Sequence, residues 1–207
     1  MHKQRPTVGS LLFDDVEVLD FSGPFVVFST ARLVDADTQG DEQGLFRVFT
    51  IAEQDRILSC RGNLLVQPHT TIQQHPPLDI LVVPGGQGTR RERQNRRLLD
   101  WIGKQDQKTQ LTTSVCTGAF LLAELGLLDQ RRATTHWGSI EWMRSTYPAI
   151  EILADRRVVD EGHIITSAGV SAGIDMSLHV VSRVYGLEVA RWTARRMEYN
   201  WQVTEEL

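Results

Sequence analysis

The chain has 207 residues, 41% hydrophobic and 23% charged, and its 22 Lys and Arg against 26 Asp and Glu leave a formal charge of −4. That is enough chain for a full core, with no compositional break that would force two domains, so one domain over 1–207 is expected. The balance gives no basic excess for nucleic acid, and two cysteines in so long a chain exclude a disulfide framework.

The residues before Thr7 lead directly into an apolar run, Thr7 to Phe13, which is too short for a secretory or membrane-spanning segment. A cytoplasmic protein with no membrane partner is therefore expected. Thr7–Phe13 reads as a buried first strand ended by Asp14-Asp15. After a short link, Asp20-Phe21-Ser22-Gly23-Pro24 reads as a helix start, with Asp20 or Ser22 as the cap and Pro24 in the first turn, and the helix continues through Leu33. An acid in this position is ordinarily a cap, but the apolar neighbours of Asp20 leave room for a partly buried carboxyl group.

Asp35 to Gly44 is polar and reads as a loop, and Leu45–Ile51 alternates as a second strand. Ile57–Cys60 and Leu64–Val66 flank the turn residues Arg61-Gly62-Asn63 and form a hairpin, which makes Cys60 a structural or incidental residue. Ile80–Val83 has the pattern of a buried parallel strand and stops at Pro84-Gly85-Gly86-Gln87-Gly88. The glycines there either allow a ligand close to backbone N–H groups or serve a tight turn, and no phosphate-loop spacing accompanies them. Arg90 to Arg97 is locally basic but leads into a helical pattern at Leu98–Ile102, which is the signature of a solvated helix face.

The stretch Thr109–Gly126 changes period within two residues of Cys116, from a β-branched run to a helical apolar run. Cys116 thus stands at a strand-to-helix turn. There the unpaired N–H groups and the dipole of the next helix favour a thiolate, unless the cysteine is simply a small buried residue. Gly126 reads as the cap that ends this helix.

Arg132–Trp137 follows as a short strand or its edge, with a helix through Ile140–Met143. Short strands at Glu151–Leu153, Arg157–Asp160 and Ile164–Ser167 come next, then a small-residue loop at Ala168–Gly173. Helices from Ile174 to Gly186 and from Leu187 to Met197 precede a polar tail. The alternation predicts an α/β sandwich around a largely parallel sheet, in which ligands bind beyond the strand carboxyl ends. Asp20, Gly85-Gly86 and Cys116 all follow such ends. The scattered histidines and the two cysteines have no ligand spacing, so no metal and no cofactor is expected.

Five segments, Val-Leu-Asp-Phe-Ser-Gly-Pro at 18–24, Val-Val-Pro-Gly-Gly at 82–86, Val-Cys-Thr-Gly-Ala-Phe-Leu-Leu-Ala at 115–123, Arg-Ala-Thr-Thr-His-Trp at 132–137 and Ser-Ala-Gly-Val-Ser-Ala-Gly-Ile-Asp at 167–175, resemble the ThiJ/PfpI superfamily, nearest its isonitrile hydratase-like branch. The resemblance implies a flavodoxin-like three-layer sandwich, a homodimer, and a nucleophile-elbow cysteine. By position it implies Cys116 as nucleophile, Asp20 as its acid partner and Thr117 as the third catalytic residue. The N–H groups of Gly86 and Thr117 become oxyanion-hole candidates, and Gly85, His136 and Gly169 become residues around the substrate. Protease-like branches carry histidine and glutamate where this chain has Thr117 and Asp20, which disfavours peptidase activity. The position two residues past His136 is Gly138, so His136 does not complete the Cys-His-Glu triad of related amidotransferases.

The implied reaction adds water to an isonitrile, with Cys116 attacking the terminal carbon and a protonated Asp20 supplying the proton. The same motifs also resemble the N-terminal domain of AraC-type regulators, which makes a ligand-sensing domain the alternative; a redox-sensing thiol is a further one. No basic DNA-reading region follows within the chain, so the expected partner is a small molecule and no nucleic acid is expected.

Overall fold

Along Ile80–Val83, side chains 80 and 82 enter one apolar cluster and side chains 81 and 83 enter another, so this strand separates two cores. All four residues are buried, as a central parallel strand covered on both faces requires. The computed structural model describes residues 5–34 and 44–203. The loop expected over 35–44 and the polar tail therefore fall largely outside the described residues.

In chain order the elements are β1 (Thr7–Leu12), α1 (Val18–Thr30), β2 (Arg47–Ala52), β3 (Leu58–Ser59), β4 (Leu65–Val66), β5 (Thr70–Thr71), β6 (Ile80–Val83), α2 (Thr89–Glu92), α3 (Arg96–Asp106) and β7 (Leu111–Val115). They continue as α4 (Ala119–Glu124), β8 (Arg132–Ala133), α5 (Ile140–Thr146), β9 (Glu151–Ile152), β10 (Val158–Glu161), β11 (Ile164–Ser167), α6 (Ala172–Tyr185) and α7 (Leu187–Arg196). The main sheet has the order β10-β11-β7-β6-β1-β2-β5 and is parallel except for β10. Helices α6 and α7 and the C-terminal half of α1, through Val27 and Phe28, bury their apolar residues on one face, and α3, α4 and α5 on the other, where Phe21 of α1 also packs. This is the expected three-layer α/β sandwich, with helices on both faces of a sheet that has no solvated side.

Two local expectations are corrected. Helix α1 begins at Val18 rather than near Asp20: Glu17 occupies the cap position without a side-chain cap, Asp20 lies in the first turn, and Pro24 is inside the helix. The start is set by pairing to the glycine loop, because Val16 bridges to Gly86 and the Glu17 N–H donates to the Gly85 carbonyl at 2.9 Å. Pro24 has no N–H for the carbonyl of Asp20 four residues earlier, so the helix is weakest where Asp20 sits. The run expected as strand at 132–137 is strand only at Arg132–Ala133, and Thr134 and Thr135 then turn inward as buried residues.

The hairpin forms as expected, with β3 and β4 antiparallel around Arg61–Asn63, and Gly62 takes φ +74° at the turn. Among the described residues no helix is long and apolar enough to cross a membrane.

Candidate active site

Strand β7 delivers Cys116 into a sharp turn. Its φ of +57° is a left-handed conformation that costs a residue with a Cβ on the order of 1–3 kcal/mol. The chain around it holds that conformation. The Cys116 N–H donates to the Ala168 carbonyl at 3.1 Å, and the Thr135 hydroxyl donates to the Cys116 carbonyl at 2.8 Å. Two residues on, Gly118 packs directly on β6, where a Cβ would lie 2.1 Å from the Val83 carbonyl oxygen. The β-branched run thus ends at a position fixed from three neighbouring segments, and the thiol is carried at the carboxyl edge of the sheet.

Asp20 reaches the same point from α1. Its side chain is 0% exposed; Oδ2 accepts the Gly85 N–H at 3.0 Å, and Oδ1 is buried without a hydrogen-bond partner among the described residues. Burial pushes its carboxyl group up to about 7, further raised by the charge of Glu17 and opposed by the Gly85 N–H, the Cys116 thiol and the Val170 N–H. Cys116, itself buried, is pushed up to about 12, first by burial and then by the Asp20 charge, against the Thr117 N–H, the Thr117 hydroxyl and the Val170 N–H. The thiolate expected from the helix dipole is therefore absent at rest. The segment after Cys116 is a 3₁₀ turn followed by a helix of only 6 residues, and desolvation outweighs its dipole. The thiol keeps its proton near neutral pH, and Asp20 takes up a second one as pH falls through about 7.

The Thr117 hydroxyl lies between the thiol and the glycine loop. Oγ1 accepts the Gly86 N–H at 3.0 Å and lies 3.2 Å from both the Gly86 carbonyl and the Thr89 hydroxyl. The Gly86 N–H is thus occupied within the protein, which removes it as a ready oxyanion donor. The N–H groups that do face the sulfur belong to Thr117 and Val170. Val170 was not identified from sequence, yet its φ of +52° is rare for a β-branched residue and is the backbone signal of a site.

Gly85 and Gly169 supply space. A Cβ on Gly85 would lie 2.6 Å from the Thr117 nitrogen and 2.9 Å from Asp20 Oδ2, and one on Gly169 would lie 2.3 Å from His136 Cδ2. The His136 ring therefore packs on bare backbone, with Nδ1 accepting the Gly138 N–H at 3.2 Å.

A cavity of about 260 Å³ opens over Cys116, Thr117 and Val170. Its walls add His136 and three residues that sequence did not single out for this role: Glu17, Arg61 and Trp137. Arg61 comes from the β3–β4 hairpin and pairs with Glu17 at 2.5 Å. A larger cavity of about 420 Å³, bordered by Glu53, Arg56, Arg91, Glu92 and Asn95, touches none of Cys116, Asp20 and Thr117. Among the described residues no cluster of three or more His, Cys, Asp or Glu side chains is arranged to hold a metal ion.

Residues 7–183 match the DJ-1/PfpI family. Isonitrile hydratase of Pseudomonas putida is 34% identical over 192 residues, covering 93% of this chain and 78% of that protein. The HTH-type transcriptional regulator GbdR of Pseudomonas aeruginosa is 26% identical over 192 residues, which span 91% of this chain and 49% of the regulator. The crystal structure of a ThiJ/PfpI family protein from Pseudomonas syringae superposes with a TM-score of 0.82 at 25% identity, covering 96% of this chain and 76% of that one.

Proposed function

Because the chain belongs to the DJ-1/PfpI family, we propose that it is an enzyme which adds water to an isonitrile, through a covalent Cys116 intermediate, to give an N-substituted formamide. The observation that carries this reading is the buried pair of Cys116 and Asp20, in which a carboxyl poised near 7 stands beside a protonated thiol. A carboxylate in that state is matched to taking a proton and giving it back at neutral pH.

In the proposed sequence Asp20 accepts the thiol proton as the sulfur attacks the terminal isonitrile carbon. The proton then passes to that carbon, leaving a thioimidate, Cys116–S–CH=N–R. Asp20, a carboxylate again, takes a proton from water as the hydroxyl adds to the thioimidate carbon, and passes it to nitrogen. Collapse of the adduct breaks the carbon–sulfur bond and returns the hydroxyl proton through Asp20 to sulfur, releasing R–NH–CHO. The sum is one isonitrile plus one water. Asp20 thus begins as base rather than acid, because the proton starts on sulfur.

Thr117 orients the water from a hydroxyl fixed by the Gly86 N–H, and the Thr117 and Val170 N–H groups stabilise negative charge as it develops. Gly85 keeps Asp20 in place, and His136, packed on Gly169, forms a wall of the substrate cavity. A homodimer located in the cytoplasm belongs to the same proposal, and static light scattering tests the assembly.

The experiment is to incubate the purified chain with cyclohexyl isocyanide and follow the formamide. Turnover that disappears in Cys116→Ala supports the reading; no turnover across a panel of alkyl and aryl isonitriles overturns it. The similarity to a transcriptional regulator favours a second reading, a ligand-sensing domain without turnover. It would show as tight, stoichiometric binding of a small molecule that is recovered unchanged.

A further inference from the structure

Four arginines surround the loop that joins β1 to α1, and three of them are neutralised. Arg56 pairs with Asp14, Arg61 with Glu17 at 2.5 Å, and Arg91 with Glu92 at 2.9 Å and with Asp15 at 3.3 Å. Arg90 is different: its side chain makes no hydrogen bond or ion pair with any described residue, and it borders the cavity over Cys116. The basic run at 90–97 therefore divides within one residue, because successive helical side chains point in different directions. Arg91 closes onto protein carboxylates, and Arg90 is left facing the site.

The base of Arg90 is rigidly placed. Thr89, fully buried, donates its hydroxyl to the Gly86 carbonyl at 2.8 Å and lies 3.2 Å from the Thr117 hydroxyl. The Arg90 N–H donates to the Gln87 carbonyl at 3.2 Å. One hydrogen-bonded turn thus links the Arg90 backbone to the residue after the reactive cysteine. Of the ionised side chains bordering the cavity, Glu17 and Arg61 cancel, and Asp20 lies buried beneath its floor. Arg90 is thus the charged side chain at the rim that has no counter-ion among the described residues. Trp137 borders the same cavity, 80% exposed, touching the His136 ring at a centroid distance of 5.5 Å and leaving a broad apolar face open.

We propose that Arg90 is the specificity-determining residue of this cavity, and that the molecule which meets Cys116 carries a carboxylate, held by the Arg90 guanidinium, at the end remote from its electrophilic carbon. The planar fork of a guanidinium matches a carboxylate in two parallel hydrogen bonds, which a neutral substituent of the same size cannot supply. A volume of about 260 Å³ suits a small molecule of this kind, with its short carbon skeleton against Trp137. In terms of the hydration reaction the substrate class is an isocyano carboxylate. The inference rests on the reading of Cys116 as the reactive group of this cavity.

The test uses two alkylating reagents of nearly equal size that differ in charge, iodoacetate and iodoacetamide, with modification at Cys116 followed by peptide mass spectrometry. The ratio of the iodoacetate rate to the iodoacetamide rate is expected to fall roughly three- to tenfold in Arg90→Gln and to be largely restored in Arg90→Lys, and the effect is expected to shrink at high salt. A ratio that does not move in Arg90→Gln overturns the proposal. Alkylation requires no hydration, so this result is independent of whether isonitriles turn over. In turnover assays, isocyanoacetate is expected to exceed its neutral methyl ester in kcat/KM by about tenfold, and Arg90→Gln to remove the preference through KM. Equal use of acid and ester by the wild type also overturns the proposal. Absence of turnover with both, alongside a changed alkylation ratio, overturns hydration and leaves anion recognition standing.

Discussion

Gly85 holds Asp20 by one oxygen only: its N–H donates to Oδ2 at 3.0 Å, while Oδ1 remains buried and unpartnered. A carboxylate with no cation beside it and one free oxygen is destabilised in its charged form, which is why its proton affinity rises toward neutrality. The same feature governs both stability and chemistry.

For stability the sign follows from the direction of the shift. The folded-state pKa of Asp20, about 7, lies above the ordinary 3.8 of an exposed aspartate, so the folded chain binds the proton more tightly than the unfolded chain. The contribution is fully present below pH 4 and is lost as pH rises through 7. Between those limits the wild type is expected to lose on the order of 3–4 kcal/mol relative to Asp20→Asn, which has no charge to bury. Urea denaturation of both proteins from pH 4.5 to 8 checks this. Parallel stability curves would show that Asp20 does not titrate in this range.

For chemistry the reactive form carries one proton on the pair of Asp20 and Cys116. Below pH 7 a second proton blocks Asp20 as a base, so kcat/KM for an isonitrile is expected to fall tenfold per pH unit on the acid side. The limb, with an apparent pKa of about 7, should vanish with the activity in Asp20→Asn. A profile that is flat from pH 5 to 8 would rule out Asp20 as the proton carrier.

Cys116 pays for its position with backbone strain at φ +57°. Both Cys116→Gly and Cys116→Ala remove the thiol, but only glycine adopts the left-handed region without penalty. The glycine variant is expected to be more stable than the alanine variant by roughly 1 kcal/mol, the reverse of the usual order in regular structure. Thermal unfolding of the two variants side by side decides it.

Gly85→Ala places a methyl group 2.6 Å from the Thr117 nitrogen and 2.9 Å from Asp20 Oδ2. Since backbone cannot yield as a flexible side-chain tip can, a loss of about 1–3 kcal/mol is expected, with the Asp20 contact displaced. Turnover should drop more than tenfold even where the variant stays folded, as judged by circular dichroism. Wild-type turnover in a folded Gly85→Ala protein would show that the placement of Asp20 tolerates this shift.

Much of the fold was legible because its strands are buried on both faces and read as uninterrupted apolar runs, Ile80–Val83 most plainly. The hairpin at Arg61-Gly62-Asn63 was legible from turn chemistry alone. What failed did so where a tertiary contact overrode a local signal. Asp20 has the composition of a cap but not the position, because backbone pairing between Val16–Glu17 and Gly85–Gly86 starts the helix earlier. Glu17, Arg61, Arg90, Trp137 and Val170 carry no motif, and they meet only because the β1–α1 link, the hairpin, the glycine loop with α2, and the turns before α5 and α6 converge over one strand end.

The amino-acid order by itself determined the alternation of strand and helix, hence the parallel sheet, and with it the edge at which Asp20, Gly85, Gly86 and Cys116 must gather. Only the tertiary structure decided the protonation of that site and the charge at its mouth. Desolvation depends on what surrounds a group in space: complete burial raises Asp20 and leaves the proton on Cys116, while ion pairs drawn from three separate segments cancel every neighbouring arginine except Arg90.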